Sequence, residues 1–95
     1  MQKLTVAEIV AEEAKTHAKW VISEGRTVGL TCDNMRRSLK RLDREPYGPY
    51  FGLGRACYHI YQEVLFSEVT KYYRERGATF YCTIPKWDDP INMNV

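Results

Sequence analysis

Arg55-Ala56-Cys57-Tyr58-His59-Ile60-Tyr61 admits two secondary structures, and the architecture of the 95-residue chain turns on which of them forms. Tyr58, Ile60 and Tyr61 favour a strand, and the Gly52-Leu53-Gly54 turn just before them suits a hairpin. The same stretch runs without glycine or proline into residues 62–76. There Ile60, Tyr61, Val64, Leu65, Val69, Tyr72 and Tyr73 recur at helical spacing, and Glu63, Glu68, Lys71, Arg74 and Glu75 supply a polar side. Gly77 is a natural stop. The expectation is a helix over about residues 56–76, with residues 55–61 open to the strand reading.

Upstream, residues 45–54 hold three glycines and two prolines, which marks a turn region. Tyr47, Tyr50 and Phe51 make it sticky as well as irregular. A loop this aromatic is either folded onto the core or waiting for a partner. Residues 31–44 precede it: Thr31-Cys32-Asp33-Asn34-Met35-Arg36-Arg37-Ser38-Leu39-Lys40-Arg41-Leu42-Asp43-Arg44. At about 100° per residue, Cys32, Met35, Leu39 and Leu42 share one side of a helix, and Arg37, Lys40, Arg41 and Arg44 share the opposite one. Thr31 is the expected N-cap, Asp33 a favourable charge near the helix start, and Pro46 the limit. Residues 26–30 read as a brief strand or extended connector.

Residues 5–24 carry the firmest pattern. Val6, Val10, Ala14, Ala18 and Val21 make a helix stripe, with Ile9 and Ile22 beside it. Thr5 and Glu8 form a capping box, Leu4 and Ile9 a hydrophobic staple over it, and Gly25 the stop. At the other end, residues 78–84 (Ala78-Thr79-Phe80-Tyr81-Cys82-Thr83-Ile84) are strand-like in composition, and Pro85 ends them. The chain is therefore expected to be α+β: a mainly helical single domain over residues 1–85 with three helices, about 5–24, 31–44 and 56–76. A small β element is expected from about 47–51 and 78–84, and residues 86–95 form a C-terminal loop and tail that Trp87 could pin to the body.

Composition bounds the function classes. Apolar residues at 44% and charged residues at 27% are ordinary for a globular domain. The net charge of +2 hides an uneven distribution: residues 25–55 hold seven Lys and Arg against three acids, and the flanking thirds are each slightly acidic. Such asymmetry bears on partners rather than fold. Cys32, Cys57 and Cys82 are odd in number and far apart, which suits free thiols in a reducing cytoplasm. No apolar run is long enough to span a membrane. Cys57 and His59 are two residues apart, yet nothing orients either as a nucleophile or base. No zinc set, nucleotide fingerprint or paired-carboxylate site stands out. No enzyme activity, cofactor, metal or small-molecule substrate is inferred.

The middle of the chain resembles a winged helix-turn-helix domain. Thr31, Asn34, Arg36, Arg37, Leu39 and Leu42 match a recognition helix of the form Thr-x-x-Asn-x-Arg-Arg-x-Leu-x-x-Leu. Residues 47–51, the 52–54 turn and residues 55–61 stand where the two-stranded wing would be, and the segment from Thr5 looks like the first helix. The resemblance implies a DNA-binding regulator of transcription. Arg37, Lys40, Arg41 and Arg44 would then neutralise phosphates, Asn34 and Arg36 would face adenine and guanine edges, and Arg55 at the wing tip would reach the backbone or minor groove. The alternative is a protein-binding adaptor or inhibitor, similar in character to the small phage proteins that block nucleic-acid-handling host enzymes. The basic stripe would then meet an acidic protein surface, with Tyr47, Tyr50, Phe51, Tyr72 and Tyr73 as anchors. Either reading is compatible with a homodimer.

Overall fold

The first helix begins where the sequence supplies a cap. Thr5 lies outside it in extended conformation and accepts from the Glu8 amide at 3.2 Å, while the Glu8 carboxylate accepts from the Thr5 amide at 3.1 Å. This reciprocal box satisfies two of the amides that a helix start leaves free. In the computed structural model, which describes residues 3–91, the helix so opened is α1, Val6–Glu24. Gly25 ends it with φ of 65°, a left-handed conformation that strains any residue with a Cβ, and returns its N–H to the Val21 carbonyl. Val10, Ala14, Ala18 and Val21 form the buried stripe. Leu4 and Ile9, the expected staple, both remain exposed.

Helix α2 is Val28–Asp43 and starts three residues earlier than expected. Thr31 is not its cap; it lies in the first turn, and its hydroxyl donates to the Thr27 carbonyl at 2.8 Å. The reason is the apolar stripe, which begins at buried Val28 rather than at Cys32. Helix α3 is Gly54–Glu75. Residues 55–61 are its first two turns, and Cys57, Tyr58, Tyr61, Leu65 and Val69 share its buried face. Glycine at position 54 starts the helix, with its N–H bound to the Asp43 carboxylate at 2.8 Å.

The domain is therefore all-helical, and the expected α+β class is corrected: among the described residues there is no strand. Residues 47–51 form consecutive turns, closed by bonds from the Gly48 amide to Glu45, Phe51 to Gly48 and Leu53 to Tyr50. Residues 78–86 run as an extended segment without strand pairing, bonded to other backbone only at their ends, where the Ala78 amide donates to Tyr73 and the Lys86 carbonyl accepts from Asp89; their side-chain neighbours belong to the helices. Their alternation is real and serves another purpose. Phe80, Cys82 and Ile84 turn toward the core while Thr79, Tyr81 and Thr83 face out.

This extended segment is a strap that runs back along α3 and across α2. Phe80 stacks on Tyr73 at 5.3 Å and meets Phe66 at 5.7 Å. Further along, the Tyr58 hydroxyl donates to the Pro85 carbonyl, and Trp87 lies 6.0 Å from the Tyr58 ring. Where the strap crosses α2, position 29 has room only for glycine: a Cβ there would sit 2.9 Å from the Thr83 carbonyl oxygen. Gly29→Ala is expected to lift the strap locally while leaving the helices formed. Faster proteolytic cleavage within residues 78–86 at unchanged helical circular dichroism would report it; unchanged cleavage would show that the strap does not press on α2.

Both α1 and α2 pack chiefly on α3 and only slightly on each other. The molecule is accordingly a slab, 45 × 41 × 19 Å. Its thickness is that of two helices at about 10 Å each, α3 forming one layer and α1 with α2 the other. Twelve apolar residues, among them Leu39, Tyr61, Leu65 and Val69, make one continuous core. No helix among the described residues is long and apolar enough to cross a membrane. Of the expected tail, residues 86–91 lie within the description and residues 92–95 lie outside it.

Candidate functional site

The basic stripe of α2 does not present all its cations to solvent. Arg36, the expected reader of base edges, is 1% exposed. It donates to the carboxylate of Asp33 at 2.5 Å and to the carbonyls of Asp89 at 2.5 Å and Pro90 at 3.2 Å, in the turn that follows the strap. Asp33, itself 5% exposed, also pairs with Arg37 at 2.9 Å. A guanidinium so buried must hold a carboxylate to offset its lost hydration; the two carbonyls occupy further donors on its terminal nitrogens, while Nε finds no partner among the described residues. Arg36 thereby fastens the strap to α2. Lys40 stands 5.3 Å over the Trp87 ring. Arg55 opens α3 and makes a forked pair with Asp88 at 2.6 and 3.1 Å. That hydrogen-bonded guanidinium holds the Asp88 carboxyl below its ordinary range. Arg41, Arg44 and Asn34 are exposed.

The aromatic candidates are divided between the two ends of α3. Tyr47 is fully exposed, Phe51 half-exposed and Tyr50 partly buried, all in the connection before α3. Tyr72 and Tyr73 sit about 30 Å away at its far end. Tyr73 is stacked under Phe80, and Arg76 covers the Tyr72 ring at 3.6 Å. One surface cannot use all five.

What the chain does bring together is a groove. Because α1 and α2 both rest on α3 and diverge from each other, a slot of about 430 Å³ lies between them. Tyr61 of α3 forms its floor. Ile9 and Trp20 of α1 line one wall, Met35 and Leu42 of α2 line the other, and Tyr50 from the connection before α3 also lines the slot. Ile9 and Trp20 are 42% and 44% exposed, so both present apolar surface to water. Arg41 and Asn34 lie on the α2 wall, and Arg26 stands 5.7 Å over the Trp20 ring. Inside, the Tyr61 hydroxyl meets His17 Nδ1 at 2.5 Å, and His17 Nε2 meets Glu13 at 3.3 Å. With the imidazole neutral, Nδ1 accepts from the phenol and Nε2–H donates to the carboxylate. The wall's only carboxylate among the described lining residues is thus already engaged.

The thiols are placed for packing. Burial pushes Cys32 up to about 12 and raises Cys57, so neither is a thiolate near neutral pH. Cys57 faces the core while His59 is exposed, so α3 separates the pair. Among the described residues no three ligating side chains gather to hold a metal. Comparison with known protein families, curated proteins and solved structures returned no match.

The groove was not foreseen from the sequence, although one signal for it was present. Ile9 and Trp20 lie about 120° round α1 from the centre of its buried stripe, so α1 carries more apolar surface than α3 alone can cover.

Proposed function

We propose that this chain is a small protein-binding module, an adaptor or inhibitor, whose interaction surface is the groove between α1 and α2. The observation that carries this reading is the half-exposed pair Ile9 and Trp20 facing Met35 and Leu42 across an otherwise unfilled slot. Large apolar side chains lining a concave surface are the usual anchors of a protein interface. The helical residues 55–61 leave no two-stranded wing, and Arg36 is withdrawn from solvent. Both facts weaken the DNA-binding expectation relative to this one.

Nucleic-acid binding stands as the second reading, favoured by one observation. Arg41 is exposed on the last turn of α2 and Arg44 at its C-cap, with partly exposed Lys40 and Arg37 beside them. Four cations on one helix face would give weak, salt-sensitive binding to a phosphate backbone.

One experiment separates the two. The tagged chain and its Trp20→Glu variant are exposed to nuclease-treated cell extract, and the purified chain is titrated with duplex DNA at low salt. The protein reading expects a stoichiometric partner that survives nuclease and is lost on Trp20→Glu, with negligible duplex affinity. Duplex binding that falls steeply with salt, and no partner sensitive to Trp20, would reverse the order of the two readings.

A further inference from the structure

The groove's walls restrict what can occupy it. Both are α-helices, whose backbone N–H and C=O groups along the slot are bonded internally. An extended peptide laid between them would find no backbone edge to pair with, and its own amides would lose water without compensation. A helical occupant carries its backbone bonds with it, so only its side chains need partners. The slot's length fits such an element. Ile9 and Trp20 are eleven residues apart on α1, about 16 Å along the axis, or three helical turns. Three turns present apolar residues at i, i+3, i+4, i+7 and i+11 to Ile9, Trp20, Met35 and Leu42.

The charge at the edge selects among helices. Glu13, hydrogen-bonded to a neutral His17, keeps its negative charge on the α1 wall. Arg41 lines the α2 wall, is exposed, and has no ion-pair partner among the described residues; Arg44 follows one turn later, also exposed. Arg41 therefore brings an unpaired cation to the edge of the apolar surface formed by Ile9, Trp20, Met35 and Leu42, and Arg44 stands next to it just outside the lining.

Resting on the protein-binding reading above, we propose that the groove receives an amphipathic helix of a partner protein, with carboxylates flanking its apolar stripe on the side that meets Arg41 and Arg44. Apolar burial against Trp20 and Ile9 supplies the affinity, and the rim arginines set the orientation and reject basic helices.

Two synthetic helical peptides test this. Both carry leucine at i, i+3, i+4, i+7 and i+11; one has glutamate and the other lysine at the flanking positions. Affinity is read by anisotropy of a dye on each peptide, and light scattering reports the chain's oligomeric state. The expected result is binding of the glutamate peptide about tenfold or more tighter than the lysine peptide, with Trp20→Glu abolishing it. Arg41→Glu should invert the preference. Both side chains are exposed, and the peptide pair tests the charge rule on the unaltered chain as well. Equal binding of the two peptides overturns the acidic assignment. Absence of binding by either, while a natural partner is still lost on Trp20→Glu, overturns the helical occupant and leaves the broader reading standing. A groove closed by a second copy of the chain, or a single-stranded oligonucleotide that displaces the glutamate peptide from it, overturns the proposal as well.

Discussion

Asp33→Ala is expected to destabilise the folded chain by about 3–5 kcal/mol, the largest loss from any single polar substitution here. Arg36 is 1% exposed, and Asp33 is its only carboxylate partner among the described residues. Removing that partner leaves a guanidinium out of water with only carbonyls around it. Urea unfolding followed by circular dichroism measures the loss. The double variant Asp33→Ala/Arg36→Met should recover most of it, because apolar residues of similar volume replace a buried pair at little net cost. The carbonyls of Asp89 and Pro90 belong to exposed residues, so water can take over Arg36's bonds to them. A loss below about 1 kcal/mol would mean that the pair behaves as a solvated surface bridge.

Alkaline pH is expected to unfold the protein well before arginine or backbone chemistry intervenes. Burial, with a smaller effect from Cys82 nearby, pushes the Cys32 thiol up to about 12, against about 8.5 in an unfolded chain. Burial likewise raises the phenols of Tyr58 and Tyr61 well above their usual range. Above about pH 8.5 the unfolded chain holds fewer protons than the folded one, so stability falls as pH rises. The contribution of Cys32 is complete below that pH and is lost progressively toward pH 12. Each fully shifted group removes about 1.4 kcal/mol per pH unit, the two tyrosines joining above about pH 10. Denaturant midpoints between pH 8 and pH 11 should decline throughout, and Cys32→Ala should flatten the first part of that decline. A midpoint constant to pH 11 would contradict the burial of these groups.

The three helices were legible because each announces itself locally. The Thr5–Glu8 box, the Gly25 stop and the 3.6-residue stripe of α1 need no tertiary information. Residues 55–61 were ambiguous for a physical reason: tyrosine and isoleucine serve either structure, and only the alignment of Cys57, Tyr58 and Tyr61 with Leu65 and Val69 decides it. The strap misled for a related reason. Its period-two pattern reports which side chains are buried, not whether a neighbouring backbone is available to pair.

The site was harder to read than the fold. A helical wheel places Arg36 about 100° from Arg37 but cannot say that residues 78–91 return over that edge of α2 and bury it. Likewise, the same wheel shows Ile9 and Trp20 as surplus apolar residues without showing that α2 faces them across a gap. The first fact follows from where the chain returns after α3 and the second from how α1 and α2 settle on α3; neither is encoded in any one segment.

Hydrogen exchange on the complex with the captured partner, compared with the free chain, is the most direct test of the groove as the interaction surface. The account predicts slowed exchange in residues 9–20 of α1 and 31–42 of α2, with residues 71–76 at the far end of α3 unchanged. Protection confined to residues 40–47 or to the outer face of α3, with the groove exchanging as in the free chain, would contradict it.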